Sequence, residues 1–132
     1  MNSAVPTILL IEDEPLVRGA VVDVLEDLGF RVVTAASARE AAGLLQGSVP
    51  IYRAVIVDLG LPDRSGEDLA KDILAQLVDV PVIIASGSDP DALDDVLTGD
   101  VRVGFLSKPY GTRGITEALA GFGIAVERPY SS

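Results

Sequence analysis

Residues 54–62 read AVIVDLGLP, and this stretch decides the fold. Its four apolar residues predict a buried strand, which Asp58 closes just before the Gly60 and Pro62 that mark a loop. A carboxylate at the end of a buried parallel strand lies where such a sheet delivers side chains to a ligand crevice. Asp58 is therefore the first candidate for chemistry.

Three other apolar runs also end in polar residues. Glu12 and Asp13 follow ILLI at 8–11, Ser86 follows VIIA at 82–85, and Lys108 follows VGFLS at 103–107. Each of these side chains can bind a metal ion or a phosphoryl oxygen. A single acidic strand end would be weak support, whereas the ordered set indicates one shared site.

Strand-like runs alternate with segments of helical period, which favours one α/β domain with a parallel sheet. The predicted strands lie near Thr7–Ile11, Arg31–Ala35, Arg53–Asp58, Pro81–Ala85 and Val103–Ser107. The predicted helices begin at Pro15, at a capping box over residues 37–40, near residues 65–67, near Pro90 and near Thr112.

Several local features refine these helices. Gly29 is expected to end the first helix, and Gly114 should make the last helix the least stable. The short fourth helix, about Pro90 to Leu97, carries an acidic outer face. Residues 123–132 are expected to form a C-terminal tail.

The acidic pair Glu12-Asp13, the acceptor Asp58, the hydroxyl of Ser86 and the pair Lys108-Pro109 occur in the order found in the receiver domain of bacterial two-component response regulators. The chain resembles that domain over nearly its whole length. The resemblance implies a flavodoxin-like, three-layer (βα)5 fold with a five-stranded parallel sheet in the order 2-1-3-4-5. It also implies a single receiver domain over 1–132, with a core from about 6 to 122.

Three carboxylates at one crevice repel one another, and a hard divalent cation with oxygen ligands, most simply Mg²⁺, relieves that repulsion. Glu12, Asp13 and Asp58 are the predicted metal ligands. The resemblance adds the backbone carbonyl of Gly60 and implies that Asp58 is the phosphoacceptor. A carboxylate can accept a phosphoryl group as a covalent acyl phosphate.

The resemblance also implies roles for residues on the last two strands. Lys108 compensates the charge of the incoming phosphoryl group, and Ser86 donates its hydroxyl to that group once the bond has formed. Ser86 and Phe105 form the switch, which rearranges the output surface: the fourth helix, fifth strand and fifth helix.

Composition limits the partners. The 132 residues include 20 acidic and 10 basic side chains, a net charge of −10, which disfavours direct contact with nucleic acid or an anionic membrane. With no histidine in the sequence, the phosphoryl donor must be another molecule or domain. The resemblance implies a sensor histidine kinase or a histidine phosphotransfer protein. No apolar run approaches the roughly 20 residues of a membrane span, so the expected location is the cytoplasm.

Other functions remain as alternatives. A hydrolase of the haloacid dehalogenase type would resemble its family in a second Asp two residues after the nucleophile, where this chain has Gly60. A nucleotide-binding loop after the first strand would be repelled by the acidic residues there. Asp13 or Glu14 could simply cap the first helix. The main alternative is a receiver-like docking module that works without phosphorylation.

The sequence thus predicts a phosphoacceptor domain that regulates a downstream protein, rather than a turnover enzyme. A stand-alone regulator and a receiver from a larger protein both fit the sequence. The resemblance also allows a homodimer through the output surface.

Overall fold

The computed structural model describes residues 6–46, 52–87, 95–108 and 111–124. Strands and helices alternate through them as β1 Thr7–Ile11, α1 Pro15–Asp27, β2 Arg31–Ala35, α2 Ala38–Leu45, β3 Tyr52–Asp58, α3 Gly66–Gln76, β4 Val82–Ser86, α4 Asp95–Thr98, β5 Val103–Ser107 and α5 Thr112–Ala120. The five predicted strands are confirmed; β3 begins one residue earlier than predicted, and β4 lies one residue later.

The strands form one parallel sheet in the order β2-β1-β3-β4-β5, as predicted. Strand β1 lies between β2 and β3, and Ile11 is paired with Val57. The chain therefore reverses its winding between β1 and β3, which brings the carboxyl ends of these two strands side by side.

Side chains that alternate along each strand build two cores, one on each face of the sheet. Ile8 and Leu10 of β1 pack on one face with Leu25 of α1 and Leu119 of α5. Leu9 and Ile11 belong to the other core, which is completed by Ala38 and Ala41 of α2, Leu69 and Ile73 of α3, and Leu97 of α4. The predicted three-layer arrangement is confirmed.

The first helix begins and ends as its sequence indicates. Pro15 occupies its first turn, and the Glu14 side chain accepts a hydrogen bond from the Leu16 N–H. Beyond the helix, Gly29 has φ of +99°, a left-handed conformation that glycine adopts at little cost. The N–H groups of Gly29 and Phe30 donate back to Glu26 and Leu25, which satisfies carbonyls at the helix end.

The predicted capping box of α2 forms with one change. Ser37 Oγ accepts the Glu40 N–H at 3.1 Å, as expected. Glu40 Oε1 reaches back to the Ala36 N–H at 2.8 Å, one residue earlier than the box predicts. The Ser37 half of the prediction is confirmed, and the Glu40 half is shifted towards the strand.

The third helix buries Leu69, Ile73 and Leu74, and Leu77 is half-buried at its end. Several predicted features lie outside the described residues. They are the start of the fourth helix at Pro90, its acidic residues 89, 91 and 94, Pro109, and residues 125–132 of the expected tail.

Candidate functional site

The polar strand ends that the sequence singled out meet at one edge of the sheet. Glu12 directly follows β1, and Asp58 ends β3 beside it, since the preceding residues Ile11 and Val57 are paired. Ser86 ends β4, and Lys108 follows β5. The Lys108 N–H donates to the Ser86 carbonyl at 3.0 Å, which joins the ends of β4 and β5.

An acidic cluster occupies the centre of this edge. Glu12, Asp13 and Asp58 each offer a carboxylate oxygen, and these oxygens lie within 4.8 Å of one another. Glu12 is 1% exposed and Asp58 is 4% exposed, whereas Asp13 is half-buried. Three carboxylates at this spacing, with one side open to solvent, match the oxygen ligands that hard divalent cations prefer.

The Lys108 ammonium already compensates part of this negative charge. Its Nζ lies 2.7 Å from Asp58 Oδ1 and 3.8 Å from Glu12 Oε1. Burial alone would raise the pKa of Asp58, but the hydrogen bonds from Lys108 and from the Gly60 N–H outweigh it, so this pKa lies below its ordinary value. Burial would lower the pKa of Lys108, and the bond to Asp58 reverses that effect. At neutral pH the pair is therefore ionised.

Glu12 differs from Asp58. Burial raises the pKa of Glu12, and the neighbouring Asp58 raises it further, against the opposing effects of the Glu14 N–H and Lys108. Glu12 Oε2 accepts the Glu14 N–H at 3.1 Å, but the buried Oε1 has no hydrogen-bond partner among the described residues. A buried carboxylate oxygen of this kind fits a cation, or a water bound to one.

Gly60 borders the acidic cluster on the loop after β3. Its N–H donates to Asp58 Oδ1 at 3.2 Å. A Cβ at this exposed position would lie 3.8 Å from both carboxylate oxygens of Asp58. The absence of a side chain keeps the approach to Asp58 open, and no second carboxylate stands where the haloacid dehalogenase alternative requires one.

The helix-capping alternative is correct for Glu14 and not for Asp13. Glu14 is the N-cap of α1, whereas Asp13 stands in the acidic cluster. Sequence reasoning missed the residue that braces this turn, Arg18. Its Nη1 donates to the carbonyls of Glu12 at 3.0 Å and Asp13 at 3.3 Å. A usable signal was its place three residues after Pro15, on the first turn of the helix that follows the acidic pair.

Gly66 was also missed. A Cβ built there would lie 2.6 Å from the Asp58 carbonyl oxygen and 2.6 Å from Leu59 Cα, so the start of α3 packs directly against the backbone of Asp58 and Leu59. No signal in the sequence separates this glycine from others near a helix start.

Ser86 and Phe105 lie on neighbouring strands, β4 and β5. Ser86 is half-buried at the end of β4, next to the acidic cluster along the sheet edge. Phe105 is paired with Ile84 and packs partly against the core that contains α3 and α4. Its surroundings include a cleft of about 420 Å³ between β5 and α5, lined by Phe105, Leu106, Ser107, Gly111, Gly114, Glu117 and Ala118.

Comparison with known proteins agrees with this geometry. Residues 8–120 match the family model described as the response regulator receiver domain. Similar curated proteins include the sensor kinase CckA of Brucella abortus, 34% identical over 81% of this chain, and the KDP operon transcriptional regulatory protein KdpE of Escherichia coli, 34% identical over 92%. The chain spans only 11% of CckA and 51% of KdpE.

A solved structure shows the same fold. The chemotaxis response regulator CheY4 of Vibrio cholerae superposes with a TM-score of 0.77 at 24% identity, over 89% of this chain and 98% of that one. In the four described stretches of the chain, no helix has both the length and the apolar composition needed to cross a membrane.

Proposed function

The chain belongs to the response regulator receiver domain family, and on that basis we propose that it accepts a phosphoryl group on Asp58 from a phosphohistidine donor and passes the signal to a partner protein. The observation that carries this proposal is the contact of 2.7 Å between Lys108 Nζ and Asp58 Oδ1, beside two further carboxylates. The ionised Asp58 carboxylate is the nucleophile, and the Lys108 ammonium next to it compensates the charge that it will receive.

Receiver domains of this family bind Mg²⁺ at the acidic pocket, and the cluster of Glu12, Asp13 and Asp58 has the donors for that ion. We assign direct coordination to Asp13, Asp58 and the Gly60 carbonyl, with Glu12 acting mainly through water. The ion would supply charge compensation for the phosphoryl oxygens. The Oε1 of Glu12, which accepts no hydrogen bond from the described residues, supports this assignment.

Phosphoryl transfer then needs one covalent step, in which Asp58 is the nucleophile. A carboxylate oxygen of Asp58 forms the new O–P bond as the P–N bond to the donor histidine breaks, and the bonding electrons leave with the imidazole. The Lys108 ammonium exchanges its contact with Asp58 for a phosphoryl oxygen. Ser86 donates its hydroxyl to another phosphoryl oxygen. The backbone N–H of Lys108 donates to the Ser86 carbonyl, which links the ends of β4 and β5. This bond supports the joint action of Lys108 and Ser86 on one phosphoryl group.

The output follows from the same strands. Movement of Ser86 towards the phosphoryl group would free Phe105 to turn inward and would change the surface of α4, β5 and α5. The half-burial of Phe105 beside a cleft supports two packing states for its ring. The proposed donor is a sensor histidine kinase or a histidine phosphotransfer protein. The target is a protein rather than nucleic acid, and the domain acts as a switch rather than as a turnover enzyme. We also propose that residues 1–132 form one receiver domain with a core near 6–122.

Intact-mass spectrometry after incubation with phosphoramidate or acetyl phosphate tests the proposal. A Mg²⁺-dependent gain of one phosphoryl group is expected, with none in Asp58→Asn, which keeps the shape and removes the nucleophile. Asp23→Asn, on the exposed side of α1, should label as the parent does. Labelling of Asp58→Asn equal to the parent would refute the assignment. No labelling of the parent by small donors or by a phosphorylated histidine phosphotransfer protein would favour the docking module.

A further inference from the structure

The loop between β3 and α3, residues 59–65, is tied to a helix distant in sequence. Asp63 Oδ1 accepts the Ala38 N–H at 3.0 Å, and Asp63 Oδ2 accepts the Arg39 N–H at 2.9 Å. Both amides belong to the first turn of α2, some 25 residues earlier in the chain. The two oxygens of one carboxylate therefore hold two successive backbone donors.

This contact is separate from the helix's own cap. Ser37 Oγ accepts only the third amide of the turn, that of Glu40. The N-terminal amides of α2 are thus divided between a local hydroxyl and a carboxylate on the β3–α3 loop. A negative charge at a helix N-terminus is favourable, so both the bonds and the helix dipole hold Asp63 in place.

The tied loop begins at the acceptor site. Gly60, three residues before Asp63, donates its N–H to Asp58 Oδ1 and offers the carbonyl that we assign to the cation. Most of the residues between Gly60 and Gly66 are exposed, and Leu61 is the one that contributes to the core. Asp63 therefore supplies a long-range side-chain contact for a loop that lies largely in solvent, in addition to the backbone bond from the Leu59 N–H to the Ala85 carbonyl.

We infer that Asp63 is a positioning residue for the cation pocket: its bonds to Ala38 and Arg39 hold the β3–α3 loop so that the Gly60 backbone faces Asp58 before the cation binds. The inference rests on the proposed function, because it assumes a cation at the acidic cluster. Holding a ligand group in place beforehand removes part of the ordering cost of binding. The coupling between the Asp63 contact and cation binding is reciprocal, so cation binding should also change the environment of the first turn of α2.

A residue that only capped α2 would also stabilise the protein, so stability alone cannot test this role. Ser37→Ala is the matched control, because it removes a cap from the same helix turn without touching the loop. Asp63→Ala removes both loop bonds, and Asp63→Asn keeps one accepting oxygen.

The test is an NMR titration of each full-length variant with MgCl₂, followed on the backbone amides of Asp13, Asp58 and Gly60. In the parent, the Ala38 and Arg39 amides should shift with the same apparent Kd as Asp58. Asp63→Ala should raise the Mg²⁺ Kd about tenfold, at the low end of the range for residues that orient metal ligands. The Mg²⁺ Kd of Asp63→Asn should lie between those of the parent and Asp63→Ala. The Kd of Ser37→Ala should stay within about twofold of the parent, although this variant lowers the urea midpoint.

The outcomes separate the two proposals. A Kd in Asp63→Ala within twofold of the parent, or an equal rise in Ser37→Ala, would reduce Asp63 to a helix cap and would leave the proposed function intact. A parent that shows no saturable Mg²⁺ shift at Asp13 and Asp58 would overturn the cation site itself, and the positioning role with it.

Discussion

Replacing Gly66 by alanine should destabilise the protein through steric overlap with Asp58 and Leu59. The added Cβ would lie 2.6 Å from the Asp58 carbonyl oxygen and from Leu59 Cα, with Leu59 Cδ2 at 3.1 Å. Two of these neighbours are backbone atoms of a residue that ends a central strand and of the residue after it, so they cannot turn aside as a side chain would. Gly66 does not have positive φ, and the effect is therefore one of space and not of backbone conformation.

The magnitude follows from two opposing effects. Overpacking that forces backbone to shift costs typically up to about 3 kcal/mol. Alanine also restricts the unfolded chain, which returns up to about 1 kcal/mol. The free energy of unfolding should therefore fall by about 2 kcal/mol. Because the displaced atoms belong to Asp58 and Leu59, the amide shifts of these two residues should change most.

Gly19→Ala is the matched control. Gly19 lies inside α1, and a Cβ there has nothing within 4 Å. The same substitution should stabilise the protein by about 1 kcal/mol through helix propensity. Urea unfolding of both variants, with the slope m checked for constancy, measures the difference. A Gly66→Ala variant within about 0.5 kcal/mol of the parent, while Gly19→Ala behaves as expected, would refute the steric argument.

Two further substitutions test the electrostatics. Lys108→Met should lower the free energy of unfolding in EDTA by about 1–2 kcal/mol, because Asp58 keeps its buried charge without its partner, and Mg²⁺ should stabilise this variant more than the parent. A larger stabilisation of the parent than of Lys108→Met by Mg²⁺ would contradict this prediction. Arg102 Nη2 lies 2.8 Å from Asp100 Oδ2, and this hydrogen-bonded ion pair lowers the pKa of Asp100. The carboxylate therefore stabilises the fold above its ordinary pKa near 3.8 and loses that contribution as pH falls through the lowered value. Asp100→Asn should therefore have a lower urea midpoint than the parent at pH 7, and the difference should shrink below about pH 4; a pH-independent difference would remove the ion pair as its cause.

The fold was predictable because its signals are local and agree with one another. Apolar runs of four residues mark β1, β3, β4 and β5, and Pro15, Gly29 and Ser37 mark helix ends through chemistry that depends on few neighbours. The strand order was not derivable from periodicity and came from the family resemblance. The shifted partner of Glu40 shows the limit of local rules, since the bond that forms depends on how the chain leaves β2.

The proximity of Asp58 and Lys108 was predictable, because both residues lie at carboxyl ends of strands on one edge of the sheet. Contacts between side chains and the backbone of other segments were harder to predict, although the place of Arg18 after Pro15 was a usable signal. Arg18 bonds two carbonyls, Asp63 bonds two amides of α2, and Gly66 makes room for the Asp58 carbonyl. Each contact depends on the three-dimensional course of a loop, and the residue type alone does not determine that course.

These three contacts share a property that bears on the chemistry. Each ends on main-chain atoms, so the loops around the pocket are held without using up the carboxylate oxygens of Asp13 and Asp58. Lys108 is the one cation that the described structure places on an acceptor oxygen, and a flexible ammonium can transfer from Asp58 to a phosphoryl oxygen. The loops can therefore stay fixed while the charges rearrange. Changes to Arg18 or Asp63 should accordingly alter cation affinity and leave the acceptor chemistry of Asp58 in place, whereas changes to Asp58 should remove the chemistry and leave the loops ordered.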